Sequence, residues 1–320
     1  MTTEALKVNG LSVRYPLRGG VLGRIQHFFT AVEDLSFSLA EGEVLAIVGE
    51  SGCGKSTLAQ ALVGLAPWSA GKLTLFGEAL NPASRKDLKQ IRSQMQMVFQ
   101  DPFSSLNPRQ TISEILIYPL LARGFSRGES AIKIEKTLAL VGLSTDVLSR
   151  FPHAFSGGQR QRIGIARSLV LSPKILICDE VTSALDVSVQ AQVLQVLDEI
   201  RRQEGISLIF ISHDMQVVRA LADRVLVMYL GQVMEMGEVS RVLASPKHPY
   251  TEALIKSIPT LDRSAPPEIL DGEWVSTAPS STGCRFAPRC KKRIPACTEK
   301  PIDLVSVDFV LSRCLLNRPF

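Results

Sequence analysis

Nine residues constrain this chain more than any others. They are Gly49, Glu50, Ser51, Gly52, Cys53, Gly54, Lys55, Ser56 and Thr57, reading GESGCGKST. The apolar run VLAIV at 44–48 precedes them and a helix-like run over 58–65 follows. Glycine, four residues, glycine, lysine and serine between a strand and a helix make a phosphate loop. The glycines let consecutive backbone N–H groups point at a polyphosphate, Lys55 adds a point charge, and Ser56 offers a hydroxyl to Mg²⁺. A glycine-rich turn without a ligand is the bland alternative, and the strand-to-helix setting argues against it. The chain is expected to bind a nucleoside triphosphate.

Around this loop, 320 residues are enough for a core domain and a smaller appendage. A hydrophobic share of 45% with 21% charged residues indicates a folded chain rather than a disordered one. No apolar run reaches the roughly 18–20 residues needed to cross a bilayer. The start, MTTEALKVNG, lacks the basic-then-apolar shape of a signal peptide. A cytoplasmic chain is expected, free to dock on a membrane protein. The net charge of +5 is small and dispersed, which argues against nucleic acid as a partner.

Residues 6–15 and 31–39 alternate apolar and polar side chains as half-exposed strands do, with a long hairpin loop expected over 16–30. Arg18 and Arg24 in that loop read as solvated charges. A further short strand at 71–77 suggests a small antiparallel layer beside a parallel core. Residues 112–143 carry helical periodicity with breaks at Gly124, Gly128 and Gly142, and residues 104–154 read as an all-helical insertion. Alternation then resumes: helix 159–171, strand 175–178, helix 188–203, strand 207–211, helix 215–222, and strands 225–229 and 232–237. This is an α/β fold with a mostly parallel sheet, ending near residue 245. Beyond it prolines recur at Pro246, Pro249, Pro259, Pro266, Pro267 and Pro279, so a boundary, a linker and a small cysteine-bearing module are expected over 246–320.

Two later segments narrow the chemistry. The run ILICDE at 175–180 is a buried strand ending in two acids. Asp179 is placed to hold the Mg²⁺ shell and Glu180 to polarise an attacking water; capping of the next helix is the bland alternative. The run FSGGQRQR at 155–162 opens a helix, and a helix start is an anion site by its dipole and free N–H groups. Two phosphate-binding helix starts in one chain are economical only if the second meets a nucleotide held by another subunit.

With GESGCGKST, Gln100 in VFQDP, FSGGQ, ICDE, the SALD run ending at Asp186, and His213 in ISHD, in that order, the chain resembles the ATP-binding subunits of ATP-binding-cassette transporters. The resemblance covers residues 1–245. It implies the phosphate-loop nucleoside triphosphatase fold, with a parallel core sheet, an antiparallel β layer and a helical subdomain near 104–154. It also implies roles. Lys55, Ser56 and Thr57 would bind phosphates and Mg²⁺, and Gln100 would sense metal and water. Glu180 would be the general base and His213 the γ-phosphate contact. Ser156, Gly158 and Gln159 would close over the partner subunit's ATP, with Asp186 across the dimer interface. Tyr15 matches the adenine-stacking aromatic, with Phe28 or Phe29 as alternatives and core packing as the bland reading. Cys53 and Cys178 read as buried small residues rather than redox sensors.

The tail resembles that of the oligopeptide and dipeptide importer branch, through SPKHPYT at 245–251 and the segments FSGGQRQRIGIAR and SALDVSVQAQVL. His248 has a structural role on that resemblance. Cys284, Cys290, Cys297 and Cys314 are four thiols in a short stretch, able to hold Zn²⁺ or an iron–sulfur cluster or to remain free. Tight C-x2-C pairs are absent. The resemblance implies a [4Fe–4S] cluster, whose negative charge Arg285, Arg289, Lys291, Lys292 and Arg293 would offset. It further implies two membrane permeases docked on the helical insertion, a second ATPase that is a paralogue, an extracytoplasmic binding protein, and a peripheral place on the cytoplasmic face of the inner membrane. Import of peptides is the leading reading, with nickel complexes or glutathione as alternative cargo. A soluble cassette acting on DNA or ribosomes and an iron-sensing regulator are more distant rivals.

Overall fold

The computed structural model describes residues 3–19, 24–101, 105–183, 185–257 and 282–317. Among the residues singled out above, Ser104, Ala184, Pro259, Pro266, Pro267 and Pro279 lie outside that set. In chain order the first half holds β1 (Glu4–Gly19), β2 (Arg24–Ala40), β3 (Val44–Val48), α1 (Lys55–Leu62), β4 (Ala70–Leu75), β5 (Glu78–Leu80), α2 (Arg85–Gln94) and β6 (Met95–Val98). The helical insertion holds α3 (Ile112–Leu121) and α4 (Arg127–Leu140), and α5 (Gly157–Leu169) follows it. Then come β7 (Ile175–Asp179), α6 (Val187–Glu204), β8 (Ser207–Ile211), α7 (Met215–Leu221), β9 (Arg224–Tyr229) and β10 (Gln232–Glu238). The chain closes with α8 (Val239–Ala244), α9 (Pro249–Lys256), β11 (Val305–Val307) and β12 (Val310–Ser312).

The larger sheet runs β11-β12-β10-β9-β3-β8-β7-β6. Its five strands β9, β3, β8, β7 and β6 are parallel, whereas β9, β10, β12 and β11 pair antiparallel. Parallel strands covered on both faces read as unbroken apolar runs, and β3, β7 and β8 are buried throughout. The two faces still differ. Leu45, Ile47, Ile175, Ile177, Ile209 and Ile211 pack toward α1 and the smaller sheet, whereas Leu176, Cys178, Leu208 and Phe210 pack toward the helical insertion. Period-two alternation decides that division. The smaller sheet, β2-β1-β4-β5, is antiparallel and lies over the first of these cores.

Helix starts follow their capping chemistry. Thr111, Ser126 and Ser156 each accept an N–H three residues on, while Glu114, Glu129 and Gln159 reach back to the cap. Asp186 and Asp214 cap α6 and α7.

Two expectations change. The segment 16–30 is not a loop where described: β1 and β2 stay paired through Tyr15↔Phe29, Leu17↔His27 and Gly19↔Arg24, so the hairpin projects as a two-stranded ribbon. Its outer side chains are exposed, which removes the in–out alternation that makes a strand readable. The cysteine-bearing tail is not a detached appendage either. Its strand β12 adds to the edge of β10, pairing Glu235↔Ser312 and Met236↔Leu311.

Candidate functional site

The site forms where β3, β6, β7 and β8 end together. The turn from β3 into α1 brings backbone against backbone. At Gly49 (φ 154°) a Cβ would lie 2.2 Å from the Met228 carbonyl oxygen, and at Gly54 (φ 107°) it would lie 2.4 Å from that of Ala31. Only glycine fits either place. Gly54 is the N-cap of α1, and no side chain caps that helix, so its first N–H groups are left for a ligand. Lys55 is buried and donates from Nζ to the carbonyls of Gly49 (2.9 Å) and Glu50 (3.0 Å).

Ser56 Oγ donates to Asp179 Oδ1 at 3.1 Å, joining the first turn of α1 to the end of β7. Burial raises the Asp179 carboxyl above the ordinary carboxylate range, while the Ser56 hydrogen bond works against that shift. A buried carboxylate beside one hydroxyl fits Mg²⁺, which takes few protein oxygens and completes its shell with water and phosphate. Glu180 follows at φ 46°, a left-handed backbone rare outside glycine, and its N–H is held by the Ile211 carbonyl at 3.1 Å.

The Glu180 carboxylate is a meeting point. Oε2 accepts from Gln100 Nε2 at 2.8 Å and stands 3.7 Å from His213 Nδ1, and Oε1 lies 3.8 Å from Lys55 Nζ. Four residues from four separate segments, read as catalytic in the sequence, thus share one carboxylate. A small cavity lined by Glu180, Thr182, Ser183, Gln190, Ser212, His213 and Asp214 opens beside it.

Ser156 and Gln159 lie exposed at the start of α5, on a different element from the phosphate loop. Gly158 packs against Val189 of α6, where a Cβ would meet that side chain. Asp186 caps α6 through the Val189 N–H (2.9 Å) and accepts from Ser188 Oγ (2.7 Å), contacts that hold its carboxyl below the usual range. Tyr15 is half-buried against the core beneath the smaller sheet, and its strand neighbour is Phe29, which is exposed. Thr57 follows Ser56 on α1, and Gly52 (φ 78°) sits within the loop beside Ser51. Burial pushes the Cys53 thiol up to about 11, so it stays protonated at neutral pH; Cys178 is raised as well by its full burial.

The loop also has partners that local spacing did not reveal. Arg289 forks onto Glu50, from Nη1 to Oε2 at 2.7 Å and from Nη2 to Oε1 at 3.0 Å. The Glu50 N–H donates to Tyr250 Oη at 2.9 Å. The expectation that tail cations offset a cluster changes accordingly. Arg285 pairs with Glu33, Arg289 with Glu50 and Lys292 with Glu252.

Cys284, Cys297 and Cys314 are buried and Cys290 is half-buried. Burial, with repulsion from neighbouring thiolates as a lesser cause, pushes Cys284 up to about 11 and raises Cys290 and Cys314. Cys284, Cys290 and Cys297 pack into one apolar cluster, the Cys284 N–H donates to the Cys297 carbonyl at 2.8 Å, and His248 Nε2 lies 3.9 Å from the Cys284 sulfur. The expected ligand set is not assembled, however: among the described residues no group of three or more His, Cys, Asp or Glu side chains is placed to hold a metal ion.

Comparison with known proteins places this geometry. Residues 32–183 match the ABC transporter family, and residues 234–297 match the oligopeptide/dipeptide transporter C-terminal region. The oligopeptide transport ATP-binding protein OppF of Haemophilus influenzae is 45% identical over 303 residues, spanning 92% of this chain and 91% of that protein. Among solved structures, cbiO1 from Clostridium perfringens, part of an ABC transporter complex, is 29% identical with a TM-score of 0.65, covering 76% of this chain and 92% of that one. The ATP-binding cassette MJ0796, a dimer bound to ADP and phosphate, is 26% identical with a TM-score of 0.64, covering 73% and 98%. This chain belongs to the ATP-binding-cassette transporter family, as an ATPase subunit that carries the oligopeptide/dipeptide transporter C-terminal region.

Proposed function

We propose that this ATPase powers the import of short peptides across the cytoplasmic membrane. The convergence of Gln100, His213 and Lys55 on the Glu180 carboxylate carries the hydrolytic part of that reading. Glu180 accepts a proton from the attacking water, Gln100 orients that water, and His213 and Lys55 contact the γ-phosphate. Positioning and charge do most of the work in phosphoryl transfer. Ser56 and Asp179 would hold Mg²⁺, which would supply positive charge to offset the negative charge developing on the phosphates. Gly49, Glu50, Ser51, Gly52, Cys53, Gly54 and Thr57 wrap the phosphates, and Tyr15 stacks on adenine.

Ser156, Gly158 and Gln159 serve the ATP of a second cassette, and Asp186 lies at the same interface. Ser156 and Gln159 lie exposed at the start of α5 and Asp186 at the start of α6, on elements other than the phosphate loop, which supports that division of labour. The partner is a paralogous ATPase, and the pair binds two permeases. A groove of about 450 Å³ lined by Gln96, Met97, Phe99, Ser105, Pro119, Arg167, Ser168 and Leu171 lies between β6 and the helical insertion, next to Gln100. A permease segment seated there would couple transport to the catalytic glutamine. An extracytoplasmic binding protein supplies the cargo. The domain division is a nucleotide-binding domain over 1–245, with its helical subdomain at 104–154, and an importer-type extension over 246–320. No described helix is long and apolar enough to cross a membrane, in keeping with a subunit held peripherally at the inner membrane's cytoplasmic face.

Peptide as cargo is supported by the match over 234–297 and by the oligopeptide transport relative. For the tail we propose a [4Fe–4S] cluster on Cys284, Cys290, Cys297 and Cys314, supported by the packing of Cys284, Cys290 and Cys297 into one apolar cluster. Iron and acid-labile sulfide in anaerobically purified chain, lost from Cys290→Ser, are expected, and iron-free colourless protein would contradict the cluster.

The test of function is recovery of the tagged chain from its own membranes in mild detergent. Two permeases and a second cassette ATPase should accompany it, with ATP turnover stimulated by binding protein loaded with peptide. Stimulation by a nickel complex or glutathione alone would change the cargo, and recovery only with ribosomal or DNA-bound partners would overturn transport.

A further inference from the structure

We propose that Arg289 and Tyr250, both in the C-terminal extension, are positioning residues for ATP: together they hold the phosphate loop in its binding conformation at Glu50. The inference rests on the nucleotide site described above.

Glu50 is the first residue after Gly49, where the chain leaves β3 and begins to wrap the phosphates. Two tail residues seize it from different directions. The Arg289 guanidinium makes a two-pronged ion pair with its carboxylate (2.7 and 3.0 Å), and the Tyr250 oxygen accepts its backbone N–H at 2.9 Å. A forked pair of this kind fixes orientation as well as distance. Both holders are themselves braced. Arg289 Nη1 also donates to Tyr229 Oη at 3.3 Å, and Tyr250 is fully buried with its ring centroid 4.7 Å from Tyr229 and 5.3 Å from Phe286. Tyr229 ends β9, the strand beside β3. On the other side of the loop, the Gly231 N–H donates to the Cys53 carbonyl at 2.7 Å. A glycine-rich loop left to itself samples many conformations, and ordering it on binding costs affinity. Holding Glu50 by side chain and backbone removes part of that cost before ATP arrives. Arg289 closes the short turn Ala287–Arg289 directly before Cys290, so the loop's brace is built from the cysteine-bearing segment itself.

The test is steady-state ATP hydrolysis and ATP binding by the full chain. Arg289→Ala should raise the KM and Kd for MgATP about tenfold while kcat at saturating ATP stays within about twofold. Arg289→Lys restores charge but not the fork and should fall between, near threefold. Tyr250→Phe keeps the buried ring and loses only the acceptor, and should also raise KM about threefold. Glu50→Ala combined with Arg289→Ala should bind no more weakly than the weaker single variant. Urea midpoints of the nucleotide-free variants separate positioning from folding, since a purely structural role lowers the midpoint without moving KM. Wild-type KM in both Arg289→Ala and Tyr250→Phe, or full additivity with Glu50→Ala, would overturn the positioning role alone. A wild-type chain unable to bind ATP would overturn it together with the nucleotide site.

Discussion

At the scale of single residues, the site depends on groups that tolerate little change. Gly54 combines φ 107° with a carbonyl oxygen 2.4 Å from where a Cβ would stand. Gly54→Ala should therefore abolish ATP binding at concentrations that saturate the wild type, as read with a fluorescent nucleotide. Gly128→Ala, in the helical insertion, where a Cβ meets nothing within 4 Å and the backbone is not left-handed, should leave binding intact. Cys53 lies in the same loop, yet burial holds its thiol near 11. The sign follows directly: below that value the neutral thiol dominates, and the thiolate needed for alkylation appears only as pH rises toward 11. Iodoacetamide at pH 8 should leave Cys53 unmodified in the native chain and label it after denaturation, which peptide mass spectrometry would resolve. The placement of these residues was legible in the sequence because phosphate loops, strand-end acids and capped helix starts are local patterns of fixed spacing. The Arg289–Glu50 pair was not, because its members stand 239 positions apart and nothing in either neighbourhood specifies the other.

At the scale of elements, the central strands were read almost to the residue: 207–211 was expected and Ser207–Ile211 is observed. A continuous apolar run between helices admits few alternatives. Caps sharpened the helix starts, and Gly157 opens α5 two residues before the expected position because Ser156 and Gln159 cap each other reciprocally. Ser156→Ala should lower stability by about 1 kcal/mol in urea unfolding, whereas Ser156→Asn, which keeps an acceptor, should lose much less. The outer half of the β1–β2 ribbon escaped notice for the opposite reason. Leu17, Ile25 and Phe28 are all at least half exposed, so no buried face imposes alternation there. The tail strands are three residues each, too short for any period to show.

At the scale of the whole molecule, the extension completes the cassette rather than trailing from it. Strand β12 covers the β10 edge, and Phe286 joins Tyr229 and Tyr250 in an aromatic cluster with centroids 4.7–5.4 Å apart. Chain ended at residue 257 should melt about 5 °C or more below the full chain, since an edge and several aromatic contacts are lost; an unchanged melting temperature would mean the tail folds independently. ATP held between the phosphate loop of one cassette and Ser156 and Gln159 of the other is expected to close the pair and its hydrolysis to open it. The most direct test is Glu180→Gln, assayed for single-turnover cleavage of MgATP and for pairing with its partner ATPase by size-exclusion chromatography. Glutamine keeps the shape and the hydrogen bond to Gln100 but cannot take the proton, so cleavage should slow by roughly 10²–10⁴-fold while ATP stays bound and the pair stays closed. Cleavage at the wild-type rate, with a pair that parts as the wild type does, would contradict the assignment of Glu180 as the base.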